Sequence, residues 1–246
     1  MNNCLVIIPT YNEKENIEDI IRAVFDLSQF FDVLVVDDNS PDGTGVIVNK
    51  LTERLNNERN SLHLISRDKK AGLGTAYIAG FKFALDQGYQ FIFEMDADFS
   101  HNPEDLLKLL SACKDDGNDV AVGSRYITGV NVVNWPLNRV LLSLSASKYV
   151  KIVTGMPIDD PTAGFVCYKR EVLEKFNLEL IKFVGYAFQI EMKHLAWKAG
   201  FKIVEIPIIF TDRVKGKSKM STSIFREAVV GVIEMKFSDF HKKLNE

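Results

Sequence analysis

The chain has 246 residues, of which 46% are hydrophobic and 26% are charged, and its formal net charge is −3 at pH 7. This composition excludes a disordered chain and is typical of one globular domain with a full core and a small appendage. The near-neutral charge gives no general reason to expect a nucleic-acid partner. Any anion site must therefore come from local clusters of lysine and arginine.

The first half of the chain alternates strands with helices. We predict strands at residues 4–9, 31–36, 62–65, 90–95 and 119–123, and helices at 15–28, 44–55, 75–87 and 103–115. Alternation at this spacing predicts an α/β fold with a mainly parallel sheet covered by helices.

The pattern weakens after residue 125. We predict a helix at 137–153, a turn-rich connection at 155–164, a strand at 165–168 and a helix at 186–199. Residues 201–210 are an extended segment interrupted by Pro207, which suits an edge or bent strand. A basic, glycine-containing loop follows at 211–219, and residues 221–240 carry an apolar helical face.

Export and membrane insertion are not expected. Cys4, Cys113 and Cys167 are odd in number and far apart, which favours reduced structural thiols in a cytosolic setting. The N-terminus enters a strand without the basic region and cleavage site of a signal peptide. No apolar run reaches the roughly 18 residues that a membrane span needs.

The central predicted strand ends in Asp96-Ala97-Asp98. Ligands of open α/β sheets bind beyond the carboxyl ends of the strands. Two carboxylates this close repel each other, and a hard cation such as Mg²⁺ or Mn²⁺ relieves the repulsion. The alternative role is helix capping, although Asn102 and Pro103 already supply a cap and a first helical residue. Taken alone, the triplet leaves both interpretations open.

Two other strand ends carry hydrogen-bond acceptors. These are residues 9–13, Pro-Thr-Tyr-Asn-Glu, and the pair Asp37 and Asp38. They suit hydroxyls, base N–H groups and a metal better than a phosphate cradle. Residues 72–77 match a dinucleotide fingerprint poorly, because Tyr77 takes its third small position and the motif is not in the first βα turn. A receiver domain is disfavoured, since no isolated phospho-accepting aspartate and late strand-end lysine fall in the expected order.

Six segments in chain order resemble one known family. They are residues 9–13, 35–40, 96–98, 123–126, 160–165 and 213–220. Together they look like family 2 glycosyltransferases of the GT-A fold, and they are most similar to the dolichol-phosphate (polyprenol-phosphate) mannose synthases. The resemblance covers residues 7–220. It implies inverting transfer of a hexose from GDP-mannose, or from UDP-glucose in sister enzymes, to a polyprenyl monophosphate.

The resemblance also implies site residues. The donor site would comprise Pro9, Tyr11, Glu13, Asp38, Asp96 and Ala97. Asp96 and Asp98 would hold Mg²⁺ or Mn²⁺, which bridges the donor diphosphate. Related synthases often have glutamine where this chain has Ser100, so a third ligand from Ser100 stays open.

The acceptor chemistry needs positive charge and no general base. A phosphate monoester has a second pKa of about 6 and is already an oxyanion near neutral pH. Positioning and preorganised charge must then carry the reaction. We expect Arg125 and Arg139 to bind the acceptor phosphate, and Arg213 and Lys219 to close over the diphosphate as a basic lid. With Asp98, the three arginines form the expected catalytic set, although exposed surface positions are the alternative for each.

The C-terminal segment offers a way to reach a lipid substrate. We divide the chain into a GT-A domain at 1–220 and a C-terminal amphipathic helix at 221–246. With Lys236, Lys242 and Lys243 nearby, that helix suits the membrane interface, or its apolar face covers the sheet. We expect a cytoplasmic enzyme, peripheral at the inner face of the membrane, with a membrane-anchored partner as an alternative.

Three other functions stay open. A glucosyltransferase would use UDP-glucose and the same lipid, although we favour mannose. A transferase acting on a saccharide hydroxyl would need a positioned base. A non-catalytic sugar-nucleotide-binding protein is the third, and intact Asp96, Asp98 and Arg213 argue against it.

Overall fold

The computed structural model describes residues 3–56, 59–213 and 222–245, with the backbone alone for 222–228. Its elements, in chain order, are β1 (Cys4–Thr10), α1 (Ile17–Phe25), β2 (Asp32–Asp37), α2 (Thr44–Leu55), β3 (Leu62–Ser66), α3 (Leu73–Gln87), β4 (Phe91–Glu94), α4 (Asp105–Lys114), β5 (Val120–Ser124), β6 (Val132–Val133), α5 (Leu137–Thr154), β7 (Val166–Lys169), α6 (Arg170–Lys175), α7 (Tyr186–Lys198), β8 (Ile203–Pro207), β9 (Phe210–Thr211) and α8 (Thr222–Phe237). Short 3₁₀ turns follow at Leu178–Leu180 and Phe240–Lys243.

In the described part of the chain, seven strands form one sheet in the order β3-β2-β1-β4-β7-β5-β8. Only β7 runs antiparallel to its two neighbours, and the other pairings are parallel. The predicted α/β class and mainly parallel sheet are confirmed. The extended segment at 201–210 is divided into edge strand β8, which ends at Pro207, and β9, which pairs with β6.

Helices cover both faces of the sheet, and each face has its own core. Along β1, Leu5 and Ile7 belong to one core, whereas Cys4, Val6 and Ile8 belong to the other. Side chains alternate between the faces of a strand, so a strand covered on both sides has apolar residues throughout. This burial explains the continuous hydrophobic runs of β1 and β2. The three cysteines are buried and unpaired, as expected for structural thiols.

The strand directions bring several chain segments to one edge of the sheet. Strands β1, β2 and β4 are parallel to one another. Strand β5 has the same direction as β4, because both are antiparallel to β7, which lies between them. The carboxyl ends of all four strands therefore lie at the same edge. Because β7 runs the opposite way, the segment before it, at 160–165, reaches this edge as well. The ends of β4 and β5 therefore meet the start of β7.

Gly72 and Gly74 serve the packing of α3. A Cβ atom on Gly74 would lie 2.7 Å from the carbonyl oxygen of Phe183 and 2.8 Å from the ring of Phe188. Gly72 has a φ of 101°, a conformation that residues with side chains rarely adopt. The two glycines let the start of α3 approach the start of α7, which explains this motif without a dinucleotide.

Helix α8 packs against the protein on one side and is exposed on the other. It contacts α5 and α7, and Val232 and Met235 are buried. Val230, Ile233 and Phe237 are exposed, with Phe237 at 80%. The part of the chain that the structure describes contains no helix with the length and hydropathy of a membrane span.

His194 on α7 is buried, and its protonation is coupled to folding. Its side chain is 4% exposed, and within the described residues Nε2 has no hydrogen-bond partner. Burial, with the charges of Lys198 and Lys243, lowers the pKa of His194 from its ordinary 6.5 to about 4. Between these values the unfolded chain binds the proton more readily than the folded chain. Stability contributed by neutral His194 is therefore present above pH 6.5 and lost as the pH falls toward 4.

We expect His194→Leu to flatten the dependence of unfolding free energy on pH. The variant takes up one proton fewer than the parent protein when it unfolds. The slope is therefore reduced by at most about 1.4 kcal/mol per pH unit. Urea unfolding between pH 7 and pH 5 measures the slope. His241→Leu, at an exposed position, is the matched control and should keep the slope of the parent protein. An unchanged slope in His194→Leu would contradict this assignment.

Candidate functional site

A tight turn after β4 fixes the two predicted metal ligands at the sheet edge. Phe99 has a φ of 60°, in the left-handed region. Oδ1 of Asp98 accepts hydrogen bonds from Ser100 through its backbone N at 3.1 Å and its Oγ at 2.6 Å. The backbone N of Asp96 donates to Nδ1 of His101 at 3.2 Å. These bonds hold the turn closed.

The Asp96 carboxylate fits a divalent cation. It makes no hydrogen bond or ion pair with the residues that the structure describes. Burial and the neighbouring Asp98 raise its pKa to about 7, and Glu13 adds to this, whereas Arg213 and Arg125 oppose it. A cation near Asp96 would relieve this repulsion. Mg²⁺ is commonly held by one or two carboxylates, with water and substrate phosphates completing its shell.

The residues around Asp96 also fit a cation that is held by only two carboxylates of the protein. No group of three or more metal-ligating side chains occurs in the described ranges, so Asp96 and Asp98 would share the cation with substrate. Ser100 is buried beside Asp98, and its role as a third ligand stays a prediction. Oδ2 of Asp98 lies 3.1 Å from Nη2 of Arg213, which brings one predicted catalytic arginine to the acid turn.

His101 joins the acid turn to two other segments. Its ring stacks on Phe165, with the centroids 4.7 Å apart, and meets the edge of Phe210 at 5.4 Å. Burial lowers the pKa of His101 to about 4, so the ring is neutral. His101 was not predicted as a site residue, because a single histidine after an acidic turn carries no periodic or spacing signal.

Arg125 lies at the end of β5 and is clamped by Asp160. Nε and Nη2 of Arg125 donate to the two carboxylate oxygens at 2.7 and 2.6 Å, and its backbone N donates to Oδ2 at 3.0 Å. Nη2 also reaches Oγ1 of Thr162 at 2.9 Å. The burial of Arg125 opposes its charge, but Asp160 keeps the pKa of Arg125 above its ordinary value. Nη1 has no hydrogen bond with a described residue.

Arg139, in the first turn of α5, is half-buried. Its Nη1 donates to Oδ1 of Asp212 at 3.0 Å, and its guanidinium lies 4.0 Å from the ring centroid of Trp135. The ring of Trp135 also lies 5.6 Å from the Arg125 guanidinium carbon. One aromatic side chain therefore contacts both arginines that we expect to bind the acceptor phosphate.

The predicted donor residues lie at the ends of β1 and β2. Nε of Arg67 donates to Asp38 at 2.5 Å, and the backbone N of Ala71 donates to it at 3.3 Å. Nζ of Lys70 lies 4.4 Å from the ring centroid of Tyr11. The backbone N of Asp38 donates to the carbonyl oxygen of Thr10 at 3.0 Å, so the segment 9–13 and Asp38 lie together. Arg67 and Lys70 lie in the loop after β3 and were not predicted as site residues.

The remaining predicted donor residues are placed as follows. Pro9 is half-buried at the end of β1, paired with Val36 of β2. The backbone N of Glu13 donates to Oγ1 of Thr44 at 3.0 Å. Ala97 is buried between the two aspartates of the acid turn. Lys219 lies outside the described residues.

Each described arginine of the site is held by an aspartate. The pairs are Arg67–Asp38, Arg125–Asp160, Arg139–Asp212 and Arg213–Asp98. Such pairs fix the direction of a guanidinium before a substrate arrives. Their aspartates also offset much of the positive charge.

Tyr186, the first residue of α7, is close enough to the charged side chains of the site for them to change its pKa. Burial raises the pKa of its phenol, as does Asp96, whereas Arg125, Arg139 and Arg213 oppose the rise. The side chain is 39% exposed. The helix was predicted from the sequence, but no site role was predicted for Tyr186.

Comparison with known proteins identifies the family. Residues 5–176 match the model of "Glycosyl transferase family 2". The chain belongs to glycosyl transferase family 2. This family 2 chain is 48% identical over 230 residues to a polyprenol monophosphomannose synthase of Mycolicibacterium smegmatis, covering 94% of this chain and 85% of that protein. It is 44% identical over 228 residues to an undecaprenyl-phosphate mannosyltransferase of Micrococcus luteus, covering 93% and 91%.

A solved structure supports the fold of this family 2 glycosyltransferase. Glucosyl-3-phosphoglycerate synthase from Mycobacterium tuberculosis, in complex with Mn²⁺, UDP and glucosyl-3-phosphoglycerate, gives a TM-score of 0.68 at 15% identity. The match covers 94% of this chain and 79% of that one. The predicted resemblance and the GT-A fold are confirmed. The protein is a glycosyltransferase.

Proposed function

We propose that this glycosyltransferase moves mannose from GDP-mannose to a polyprenyl monophosphate, with inversion at the sugar carbon. The proposal rests on one observation: the acidic side chains on the acceptor side are already bound by lysine or arginine. Asp160 is bound by Arg125, Asp212 by Arg139, and Glu191 by Lys243 and two backbone amides. None of these three is placed to deprotonate a sugar hydroxyl. An acceptor that is already an oxyanion requires no such group.

The relatives support the choice of sugar and lipid. The two similar proteins named above are a polyprenol monophosphomannose synthase and an undecaprenyl-phosphate mannosyltransferase. They favour mannose over glucose as the sugar. They also favour a lipid phosphate over a saccharide hydroxyl as the acceptor.

We assign the donor to the ends of β1, β2 and β4. The donor residues are Pro9, Tyr11, Glu13, Asp38, Asp96, Ala97, Arg213 and Lys219. When bound at Asp96 and Asp98, with Ser100 beside them, Mg²⁺ or Mn²⁺ would offset the charge on the departing GDP. Arg213, which borders Asp98, is suited to contact the same diphosphate.

We assign the acceptor phosphate to Arg125 and Arg139. Asp160 binds the Nε and Nη2 edge of the Arg125 guanidinium, which leaves Nη1 for a phosphate oxygen. Arg139 supplies a second, more accessible cation. A phosphate oxygen would form a bond to the anomeric carbon while the bond from that carbon to the diphosphate breaks. The arginines bring the two anions together, which is the main demand of the reaction.

One transfer assay tests the function. Purified protein would be incubated with Mg²⁺ and labelled GDP-mannose or UDP-glucose, with undecaprenyl phosphate or methyl mannoside as acceptor. We expect label from GDP-mannose in the organic phase only when the lipid phosphate is present. Label in methyl mannoside would indicate a hydroxyl acceptor, and label from UDP-glucose alone would indicate a glucosyltransferase. Donor binding without any turnover would indicate a sugar-nucleotide-binding protein.

We propose that the protein works as a peripheral enzyme at the cytoplasmic face of the membrane. Phe237 and Ile233 on α8, and Leu137 and Leu141 on α5, have exposed apolar side chains. The two helices are in contact, and we propose that these four residues form one interfacial surface. A membrane-anchored partner is the alternative means of attachment. The division into residues 1–220 and 221–246 stays a prediction.

Replacing Ile233 and Phe237 together by glutamate should weaken membrane binding. Two charges at the interface oppose burial of the apolar surface. Flotation with vesicles of anionic phospholipid measures the bound fraction, which we expect to fall several-fold. Val46→Glu, at an exposed apolar position on α2, is the control and should float like the parent protein. Equal flotation of all three proteins would refute this surface.

A further inference from the structure

Lys193 is a fully buried lysine in the middle of α7. Its side chain is 0% exposed. Nζ donates to the carbonyl oxygen of Ala163 at 2.6 Å, and to the carbonyl oxygen and Oε1 of Gln189, both at 3.1 Å. An ammonium group has three donors and no acceptor. All three donors of Lys193 are therefore used inside the protein.

The carbonyl of Ala163 belongs to the segment that clamps Arg125. This clamp segment, residues 160–164, contributes Asp160 and Thr162 to the Arg125 guanidinium. On its other side, the Glu205 carboxylate accepts hydrogen bonds from the backbone N of Asp160 at 2.9 Å. Lys193 and Glu205 thus both hold the clamp segment in place.

The same network reaches the strand that carries the metal turn. Nε2 of Gln189 donates to Oε2 of Glu94 at 2.7 Å. Glu94 is 0% exposed and is the last residue of β4, two positions before Asp96. Lys193 therefore lies between the clamp segment of the acceptor side and the strand of the donor side.

Burying a lysine costs free energy of folding, because its ammonium group is removed from water. An apolar residue of similar volume is often neutral or stabilising in place of a buried charge. Burial lowers the pKa of Lys193 to about 8, although Glu94 and Asp160 oppose this shift. The ammonium is therefore retained near neutral pH, where its strong hydrogen bond to Ala163 is available.

We propose that Lys193 is a positioning residue for the acceptor phosphate, acting through the Ala163 carbonyl, the Asp160 clamp and Arg125. This inference rests on the proposed function. Lys193 does not touch substrate. It fixes the clamp segment, and the clamp segment fixes the edge of Arg125 that faces the phosphate.

Lys193→Met tests the proposal, because it keeps the length of the side chain and removes the donors. We expect KM for undecaprenyl phosphate to rise about 10-fold to 100-fold, because small displacements of positioning groups have effects of this size. KM for GDP-mannose should stay within about twofold. Lys198→Met, on the exposed side of the same helix, is the matched control and should resemble the parent protein. Equal changes in both KM values, or none, would overturn the proposal.

Hydrogen exchange gives a second measurement that needs no acceptor. In Lys193→Met, amides of residues 158–165 and of Arg125 should exchange faster, whereas those of β1 and β2 should not. Unchanged exchange in the clamp segment would overturn the proposal even if the parent protein transferred no mannose. Failure of the parent protein to use the lipid would instead refute the proposed function.

A second variant carries the test if Lys193→Met does not fold. Gln189→Met removes one acceptor of the Lys193 ammonium and the bond to Glu94, but keeps the bond to Ala163. We expect the same selective rise in KM for the lipid phosphate, at a smaller size, with faster exchange at 158–165. Parent-like values for both measurements would overturn the proposal.

Discussion

Asp98→Asn is expected to lower kcat by about 10³-fold or more, because it removes one charge of the proposed cation site, where leaving-group charge would develop. Asparagine keeps an oxygen that can accept from Ser100, so the turn after β4 should stay closed. The substitution also removes a carboxylate that repels Asp96. The loss should therefore lie in chemistry rather than in folding.

Transfer assays with saturating GDP-mannose and thermal unfolding measure the two effects separately. Asp96→Asn should behave in the same way. Asp116→Asn, at an exposed position after α4, is the matched control and should keep full activity. Retention of more than about a tenth of the parent kcat by Asp98→Asn, with an unchanged cation requirement, would contradict the assigned ligand role.

Arg125→Met should cost both stability and acceptor binding. It leaves the Asp160 carboxylate, which is 0% exposed, without its cation. Breaking a buried pair in this way typically costs about 3–5 kcal/mol. Removal of the phosphate-binding fork should also raise KM for the lipid phosphate and lower kcat. Arg125→Lys should recover little activity, because an ammonium cannot reproduce the fork.

The double variant Arg125→Met with Asp160→Asn separates the two effects. It removes both charges, so we expect much of the unfolding free energy to return, as measured by urea denaturation. Activity should stay low because the Arg125 guanidinium no longer faces the phosphate and Arg139 remains alone. A stable double variant with parent-like KM and kcat would exclude Arg125 from the acceptor site.

The sequence was sufficient for the features that depend on local patterns. Continuous apolar runs predicted the buried strands β1, β2 and β4. The acidic residues at their ends predicted a site at one sheet edge. Several motifs in order predicted the family and the GT-A fold, and the comparisons confirm both.

Pairings across long distances in the chain could not be predicted. Arg125 and Asp160 are 35 positions apart, and Arg139 and Asp212 are 73 apart. The first pair depends on antiparallel β7, and the second depends on the pairing of β6 with β9. No local pattern indicates either arrangement. The contact of Lys193 with Ala163 could not be predicted for the same reason, since the two residues are 30 positions apart.

Short elements were missed for a different reason. Strands β6 and β9 have two residues each, and α6 has six, which is too little to show a period. Here β9 matters because Phe210 contacts the ring of His101. The start of α3 offers the opposite case, in which Gly72 and Gly74 imitate a ligand motif but serve close packing.

The central claim is that a cation held by Asp96 and Asp98 joins the donor diphosphate to the protein. Calorimetric titration of GDP-mannose into the protein tests it most directly, with Mg²⁺, with Mn²⁺ or with a chelator. We predict that donor affinity falls by at least about tenfold under chelation, and equally in the double variant Asp96→Asn with Asp98→Asn, whatever the cation. Donor affinity that is the same in all these titrations would contradict the claim.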